Sequence, residues 1–331
     1  MKDRPEGVTD GDLAAALADG WGLDVRAVEY RPVGFGSYHW AVRTGSGGLF
    51  VTVDAAQDGP AATLRRLDLA FRTALALHRD AGLDFVVAPV PSRGGAVVRP
   101  LGDRHTVAVF PLVEGEAGDF GAHRPEDRPQ VLDLLVRLHA ADVEAPRGEL
   151  VLPGRGALED ALAAVDRPWT GGPHSEPARL LLAGRAAHVR GLLGEFDRLA
   201  GLVAEESAPW VVTHGEPHPG NVMRGPSGLR LIDWDTVLLA PPERDLWMVA
   251  GDGVRNGDAD DDGLLDAYTR ATGRPVSATA LSLYRLCWDL ADIAIYVDTL
   301  RHPHRRTDDT TASLTYLARY LAPDATEPAA P

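Results

Sequence analysis

The chain contains 331 residues, 45% of them hydrophobic, and carries a formal net charge of -15 at pH 7 with a pI near 5.1. Such a length can bury a large core and predicts two folding units. The acidity disfavours nucleic acid and anionic membranes as partners, because both require a basic protein surface. A cationic small molecule would suit this chain, and a role of the charge in solubility alone explains the acidity equally well.

No apolar stretch of the sequence has the character of an export signal or the length of a membrane span. We therefore expect a cytoplasmic protein without a membrane partner. The single cysteine, Cys287, excludes an internal disulfide, and its place in an apolar helical pattern indicates a role in core packing.

Short strands dominate the sequence before residue 111. Runs rich in β-branched and aromatic residues predict strands over residues 25–33, 37–44, 49–54, 96–101 and 106–110. A helix is predicted over residues 63–81, where Leu64, Leu67 and Phe71 follow helical spacing. Gly82 is a stop signal for this helix. We expect a twisted sheet packed against one helix.

After residue 111 the pattern is helical, apart from two short strands predicted over residues 210–213 and 229–233. A loop rich in proline and glycine separates these strands. The sequence thus predicts an α+β fold with a small sheet-rich N-terminal lobe, residues 1–110, and a larger helical C-terminal lobe, residues 111–331. This two-lobe outline is that of a protein kinase, although a fold by itself does not establish a function.

An acid, two imidazoles and a carboxamide lie together in a segment that cannot be helical. This catalytic loop, residues 214–221, has the sequence HGEPHPGN and contains Glu216 and Asn221. Its two prolines restrict the backbone and so pre-position the side chains. Twelve residues after Asn221, an apolar strand ends in Asp233 and Asp235. Phosphoryl transfer needs such parts, namely a carboxylate to orient and deprotonate the attacking hydroxyl and oxygen ligands for Mg²⁺.

The order and spacing of these residues resemble the catalytic loop and metal motif of the aminoglycoside phosphotransferase family and, more distantly, those of protein kinases. Within the family the layout is most similar to spectinomycin phosphotransferases. The resemblance implies that Glu216 is the catalytic base and that His214 braces the loop. It also implies that Asn221 and Asp233 are metal ligands and that Asp245 is a buried acid that supports the loop backbone.

One residue departs from the family pattern, because the family usually has Asp where this chain has Glu216. The extra methylene moves the carboxylate by about one bond length, and a misplacement on the order of 1 Å can lower the rate strongly. A polar surface loop between two strands is the alternative interpretation of the whole segment.

The nucleotide end of the predicted site lies in the N-terminal lobe. A turn between the first two strands resembles the glycine-rich loop that covers ATP phosphates, and it consists of Gly34, Phe35, Gly36 and Ser37. Glycines in a hairpin also serve turn geometry alone. The segment around Phe110 and Leu112 resembles the hinge between kinase lobes, where backbone groups meet the adenine edge. The resemblance implies ATP or GTP as co-substrate, and a connection without ligand contact is the alternative.

The third strand of such folds normally ends with a lysine that contacts the phosphates and pairs with a glutamate on the next helix. Here Thr52 takes that position, and the helix of residues 63–81 contains no glutamate. Two histidines are candidates to replace the lysine, because His39 occupies the third-glycine position of the loop and His218 follows Glu216 by two residues. A triphosphate is expected to raise the pKa of either imidazole and make it cationic. The alternatives are that His39 packs on its strand and that His218 only forms a hydrogen bond with the loop.

Acids on the helix around residues 281–300 offer a clue to the acceptor. Asp289, Asp292 and Tyr296 recur at helical spacing opposite an apolar stripe. In related enzymes the late helices and the end of the metal strand supply acids that bind ammonium groups. These residues and Asp235 are therefore candidates to bind a cationic acceptor, and a solvated helix face explains them equally well.

The expected function is transfer of the γ-phosphoryl group of a nucleoside triphosphate to a hydroxyl group of an aminocyclitol or aminoglycoside-like antibiotic, in resistance or self-protection. A nucleotide-binding pseudokinase and a kinase of an ordinary metabolite are the alternatives. The acids of residues 258–262 begin like a calcium loop, but position twelve is Thr269 rather than Glu, so a solvated turn is expected there.

Overall fold

The computed structural model describes residues 1–56, 59–250 and 263–322. The acids of the calcium-loop pattern, Asp258, Asp260 and Asp262, lie outside the described residues. The chain divides into two compact units: the first comprises Met1–Gly148 and Trp210–Arg274, and the second comprises Glu149–Pro209 and Pro275–Pro331. The lobe boundary between residues 110 and 111 rests on the change of sequence pattern and stays a prediction.

A five-stranded antiparallel sheet forms the beginning of the first unit, with strand order β1-β2-β3-β5-β4. Its strands are β1 (Val25–Arg31), β2 (Tyr38–Thr44), β3 (Gly47–Ala55), β4 (Val98–Leu101) and β5 (His105–Pro111). All five predicted strands are confirmed, with ends shifted by no more than about two residues. Helix α1 (Asp10–Trp21), which the sequence analysis did not predict, precedes them, and α2 (Pro60–Arg79) confirms the predicted helix.

The sheet is covered on both faces. One face carries buried valines and Trp40, which form a core with Leu13 and Leu17 of α1. The other face packs Phe50 and Phe110 against apolar residues of α2. Because successive side chains of a strand alternate between faces, Thr52 and Asp54 of β3 project from the same face as Phe50, towards the α2 side.

The first unit continues with short elements that carry the catalytic loop. They are β6 (Glu116–Ala117), α3 (Arg128–His139), β7 (Val211–Thr213), β8 (Val222–Gly225), β9 (Gly228–Leu231), β10 (Leu238–Ala240), α6 (Glu243–Val249) and α7 (Leu264–Thr272). Strand β7 pairs with β10, and β8 lies between β6 and β9. The two predicted strands are present as β7 and β9, whereas β8 and β10 were not predicted.

The second unit consists of helices α4 (Arg155–Ala163), α5 (Ser175–Ala204), α8 (Ala278–Arg301) and α9 (Asp308–Tyr320). Its core joins Leu182 and Phe196 of α5 to Leu290 and Ile293 of α8, and Cys287 packs against this core as expected. A sheet-rich first part and a helical later part confirm the predicted α+β, kinase-like fold. In the part of the chain that the structure describes, no helix combines the length and apolarity needed to cross a membrane.

Candidate active site

The buried carboxylate of Asp245, on α6, holds the start of the catalytic loop. Its Oδ2 accepts a hydrogen bond from the amide of His214 at 2.8 Å, and its Oδ1 accepts one from the amide of Gly215 at 2.6 Å. Burial by itself would raise the pKa of Asp245, but interactions led by the hydrogen bond from His139 outweigh it and lower that pKa. An ionised carboxylate that accepts two backbone N–H groups fixes the loop backbone at this point.

Two further buried side chains support Asp245: His139 contacts its carboxylate, and Tyr268 contacts His139. Nε2 of His139, at the end of α3, lies 3.0 Å from Oδ2 of Asp245, and its Nδ1 lies 2.9 Å from the hydroxyl of Tyr268 on α7. Burial raises the pKa of Tyr268, so its hydroxyl stays protonated and can donate to His139. The sequence analysis missed both residues, because a lone His or Tyr in a helical pattern carries no sign of a partner more than 100 residues away.

His214 is the buried brace of the loop. Its Nε2 lies 2.9 Å from the carbonyl oxygen of Ile232, and its Nδ1 accepts a hydrogen bond from the amide of Glu216 at 3.2 Å. These contacts fit a neutral ring that donates through Nε2, and burial, the largest effect, lowers the pKa of His214 in agreement with that form. The ring also lies edge-on to Trp234, with centroids 4.5 Å apart.

Gly215 allows a close approach that no other residue would. Its φ is +101°, in the region that favours glycine. A Cβ at this position would overlap the guanidinium of Arg244. That guanidinium donates to Oγ1 of Thr213 at 2.9 Å and to the carbonyl oxygen of Thr236 at 2.9 Å, so it links α6 to β7 and to the segment after β9.

The far end of the loop positions Asn221 beside the backbone of Glu216. Nδ2 of Asn221 donates to the carbonyl oxygen of Glu216 at 3.0 Å, which leaves the amide oxygen of Asn221 as the atom able to bind a cation. Nδ1 of His218 accepts from the amide of Gly220 at 3.1 Å and starts a 3-10 turn, Pro219–Asn221. His123, also missed in the sequence, lies 2.7 Å through Nε2 from the carbonyl oxygen of Pro217.

Asp233 is the one non-glycine residue with a positive φ, 65°, among those that the structure describes. Such a conformation is strained and recurs at functional sites. Although Asp233 keeps solvent access, the protein atoms packed around it desolvate its carboxyl group and raise its pKa well above the ordinary value. The charges of Asp235, Glu216 and Asp54 act in the same direction, so these four acids form one acidic cluster.

Asp54 is a member of this acidic cluster that the sequence analysis missed. Its side chain is buried, and this burial raises its pKa to about 6. Its Oδ1 accepts a hydrogen bond from Oγ of Ser37 in the glycine-rich loop at 2.5 Å. Its Oδ2 and the Oγ1 of Thr106, directly opposite on β5, are buried without a hydrogen-bond partner. Strand alternation from Thr52 could have placed Asp54 on this face.

The other predicted nucleotide residues surround the same strands. Gly34 and Gly36 have φ values of +71° and +90°, which a tight loop between β1 and β2 requires. His39 lies beneath this loop, because its Nε2 would be 3.2 Å from a Cβ at Gly34. Nδ1 of His39 lies 3.3 Å from the hydroxyl of Thr52, with which it is paired across β2 and β3. Phe35 is exposed.

The histidines do not carry the charge expected of them in this structure. Burial, the largest effect in both cases, lowers the pKa of His39 to about 4 and that of His218 to about 3. The expected rise required a triphosphate next to the ring, and without one desolvation of the imidazolium dominates. Both rings are therefore neutral near pH 7, and their contact with a nucleotide stays a prediction.

The two hinge residues differ in exposure. Phe110, on β5, is buried and packs edge-on against Phe71 of α2, with ring centroids 5.3 Å apart. Leu112 is 47% exposed, and its amide donates to the carbonyl oxygen of Gly48 at 3.3 Å. A half-exposed apolar side chain just beyond the end of β5 is compatible with contact to a flat ring, and the adenine contact stays a prediction.

The candidate acceptor residues lie in both units. In the second unit, the carboxylate of Asp292 accepts hydrogen bonds from the hydroxyls of Tyr320 at 2.7 Å and Tyr296 at 3.5 Å. The placement of Tyr296 opposite the apolar stripe was wrong, because its ring belongs to the core of this unit. Burial raises the pKa of Asp292 to about 6, so this part of the helix is not a fully solvated face. Asp289 adds to that rise.

Asp235, in the first unit, contacts the helix that covers the sheet. Nη1 of Arg66, on α2, donates to the carbonyl oxygen of Asp235 at 3.1 Å and to its Oδ2 at 3.4 Å. Both side chains are partly exposed. The sequence analysis did not single out Arg66, since one arginine of a solvated helix surface has no distinguishing pattern.

The kinase-like fold and the loop held by a buried acid define a phosphotransferase. The sequence profile described as the phosphotransferase enzyme family matches residues 28–282. The chain belongs to this family, which confirms the predicted family and the predicted class of enzyme.

Two kinds of relatives agree with this placement. The protein StrN of Streptomyces griseus is 30% identical over 315 residues, which cover 90% of this chain and 87% of StrN. The structure of spectinomycin phosphotransferase APH(9)-Ia in complex with ADP and spectinomycin is similar with a TM-score of 0.70 at 18% identity, over 94% of each chain. A microcompartment-associated aminopropanol kinase is similar with a TM-score of 0.61 at 15% identity, over 95% of this chain and 96% of the other.

Proposed function

We propose that this chain transfers the γ-phosphoryl group of ATP or GTP to a hydroxyl group of a cationic aminocyclitol or aminoglycoside-like compound. The proposed role of this reaction is antibiotic resistance or self-protection, and the proposed location is the cytoplasm. The observation that carries the proposal is the catalytic loop, because Asp245 and His214 fix its backbone. In this loop the backbone of Glu216 is bound to Asn221, and the charge of Glu216 helps to raise the pKa of Asp233. The likeness to an antibiotic phosphotransferase structure supports the choice of acceptor class.

Glu216 is the proposed base. Its carboxylate would accept the proton of the acceptor hydroxyl as that oxygen attacks the γ-phosphorus, and it would hold the oxygen in line with the departing nucleoside diphosphate. The amide of Glu216 is bound to His214 and its carbonyl to Asn221, so the backbone that presents the carboxylate is fixed on both sides. A fixed base reduces the reorganisation needed in the transition state.

Asn221 and Asp233 are the proposed ligands of Mg²⁺. Among residues 1–56, 59–250 and 263–322, no three His, Cys, Asp or Glu side chains are arranged to hold a metal ion by themselves. This donor set fits Mg²⁺, which commonly binds one or two protein oxygens and completes its shell with water and nucleotide phosphate oxygens. When bound, the ion would supply charge neutralisation of the phosphates.

The acceptor is proposed to be cationic because three of the four candidate acceptor residues are acids. Asp235 ends the metal segment in the first unit, and Asp289 and Asp292 lie on α8 in the second. An ammonium group would be attracted to each of them, and Tyr296 would act through its hydroxyl contact with Asp292.

A nucleotide-binding pseudokinase is the second candidate. It is favoured by Thr52 at the lysine position and by the lowered pKa values of His39 and His218, which leave the proposed phosphate site without charge from any of these three side chains.

The deciding experiment incubates the purified chain and Mg²⁺ with ATP or GTP and a panel of aminocyclitols, aminoglycosides, amino alcohols and simple sugars, and follows nucleoside diphosphate release and product mass. We expect a phosphorylated aminocyclitol or aminoglycoside with a mass gain of one phosphoryl group. Turnover on a simple metabolite alone would favour a metabolite kinase. Nucleotide binding without turnover on any compound would favour the pseudokinase.

A further inference from the structure

The phosphates of a bound nucleotide require a cation that the positions considered so far do not supply. Thr52 is neutral, and burial keeps His39 and His218 uncharged in the protein by itself. Arg43 is at the far end of β2, four residues beyond His39, which corresponds to roughly 13 Å along a strand. A side chain from another element must therefore approach the phosphates.

Helix α2 presents an arginine at the right place. Arg66 lies in the second turn of α2 and donates through Nη1 to the backbone and carboxylate of Asp235, two residues after the proposed metal ligand Asp233. Its charge also reaches Asp54 on the adjacent face of β3, where it opposes the rise in the pKa of that carboxyl group. The hydrogen bonds place the guanidinium beside Asp235, a member of the acidic cluster, and the electrostatic effect on Asp54 agrees with that position.

The present partner of Arg66 can be exchanged for a phosphate. The distance to Oδ2 of Asp235 is 3.4 Å, and the Arg66 side chain is 52% exposed. Ion pairs of this kind contribute little to stability. A guanidinium binds phosphate oxygens through two parallel N–H groups, which is a stronger arrangement than the present contacts of Nη1 alone, at 3.1 Å to the backbone carbonyl oxygen and 3.4 Å to the carboxylate of Asp235.

We propose that Arg66 is the phosphate-binding cation of this enzyme, and that it moves from Asp235 to the α- or β-phosphate of the nucleotide and so replaces the strand lysine from the helix side. This inference rests on the proposed function, since it assumes a nucleoside triphosphate in the site. It also gives α2 a role that requires no glutamate, because no lysine has to be held in place.

The test compares nucleotide binding by titration calorimetry in EDTA, so that no metal ion contributes. Arg66→Ala should weaken ADP binding by roughly tenfold or more, the scale of one lost charge-assisted contact, and Arg66→Lys should recover part of the loss. Adenosine, which has no phosphate, should bind the parent and Arg66→Ala equally. The matched control is Arg65→Ala, which removes the neighbouring exposed arginine of α2 and should leave ADP affinity at the parent value.

A further variant separates phosphate binding from loss of the ion pair. Asp235→Asn weakens the same pair but leaves the guanidinium in place, so its ADP affinity should equal or exceed that of the parent. Equal ADP affinity of parent and Arg66→Ala, with both folded by melting temperature, would overturn the inference alone. A parent chain that binds neither ADP nor ATP, with or without Mg²⁺, would overturn the proposed function and the inference together.

Discussion

At the level of single residues, the proposed base Glu216 should affect the rate of phosphoryl transfer but not the affinity for nucleotide. Replacement of its carboxylate in Glu216→Ala should lower phosphoryl transfer by about 10²–10⁴-fold, because the attacking hydroxyl loses its proton acceptor. Nucleotide affinity should stay within a few-fold, since the base contacts the acceptor rather than the nucleotide. Single-turnover transfer rates and nucleotide titrations measure the two effects.

The matched variant Glu216→Asp restores the carboxylate with the shorter side chain that the family usually has. It should be more active than Glu216→Ala, because a carboxylate remains on a backbone fixed by His214 and Asn221. If Glu216→Ala turned over at a near-normal rate, Glu216 would have no part in the mechanism.

The sequence predicted site residues where chemistry and spacing are local. The catalytic loop and Asp233 lie within twenty residues of one another, so their pattern is recognisable without a structure. His139, Tyr268 and Arg66 could not be found in this way, because each acquires its role from a partner that is distant in sequence. Asp245 was found through the family resemblance.

At the level of elements, the turn at the start of the catalytic loop depends on Gly215. Gly215→Ala should destabilise the protein by about 1 kcal/mol through its positive φ, and by roughly 2 kcal/mol more through displacement of Arg244 from its two hydrogen bonds. Urea denaturation measures the free energy of unfolding. The matched control is Gly228→Ala, which has a similar φ of +99° but open space around the new methyl group.

The two glycine variants together distinguish strain from overlap. Equal losses of unfolding free energy in Gly215→Ala and Gly228→Ala would show that overlap with Arg244 does not add to the destabilisation.

Helix α8 carries a partly buried acid, Asp292, whose titration should change the free energy of unfolding. The pKa of Asp292 is raised to about 6 in the folded protein, above the ordinary 3.8. The unfolded chain therefore releases this proton first, and stability that is present below pH 4 is lost as the pH rises through 6. The charged form at pH 8 should cost up to about 3 kcal/mol, from roughly two pKa units at 1.36 kcal/mol each.

Asp292→Asn removes that charge and can still accept the hydrogen bond from Tyr320. Its unfolding free energy should exceed that of the parent at pH 8 and match it near pH 4, as measured by denaturant titrations at both values. The control Asp160→Asn, at an exposed position of α4, should show no such difference. A constant difference across this pH range would contradict the raised pKa.

Element boundaries were predictable where periodicity is strong. The five strands of the first sheet and α2 have clear alternating or helical patterns. Strand β8 was missed because it lies in the proline- and glycine-rich stretch that predicted a loop, and β10 because Pro241 and Pro242 follow it directly. Helix α1 had a usable signal in the capping box formed by Thr9 and Asp12.

The whole molecule is acidic, and its charge should affect the rate at which it associates with its acceptor. With a net charge of -15, long-range attraction would raise the association rate of a cationic acceptor at low ionic strength. We expect kcat/KM for a cationic acceptor to fall several-fold between about 0.02 and 0.5 M salt, because the Debye length shrinks over this range. A neutral acceptor of similar size is the control, and parallel salt curves for both would assign the acidity to solubility alone.

The length of the chain predicted two folding units, but which stretches of chain form each unit was not predictable from the sequence. Each unit combines two separate stretches of chain, and a sequence pattern reports local structure rather than which distant stretches pack together. The change from strands to helices near residue 111 was visible because it is a change of local period.

The Oδ2 atom of Asp54, which has no hydrogen-bond partner, determines what a lysine at position 52 would bind. A lysine in Thr52→Lys would lie on the same face as Asp54, two residues away, and its ammonium group would pair with the free carboxylate oxygen instead of a phosphate. We expect Thr52→Lys alone to leave ADP affinity unchanged, and Thr52→Lys with Asp54→Asn to raise it, as titration calorimetry would measure. An increase from the single substitution would contradict this expectation. A lysine at this position that binds phosphate would thus require two changes, and Thr52→Lys by itself would bring no advantage in nucleotide binding.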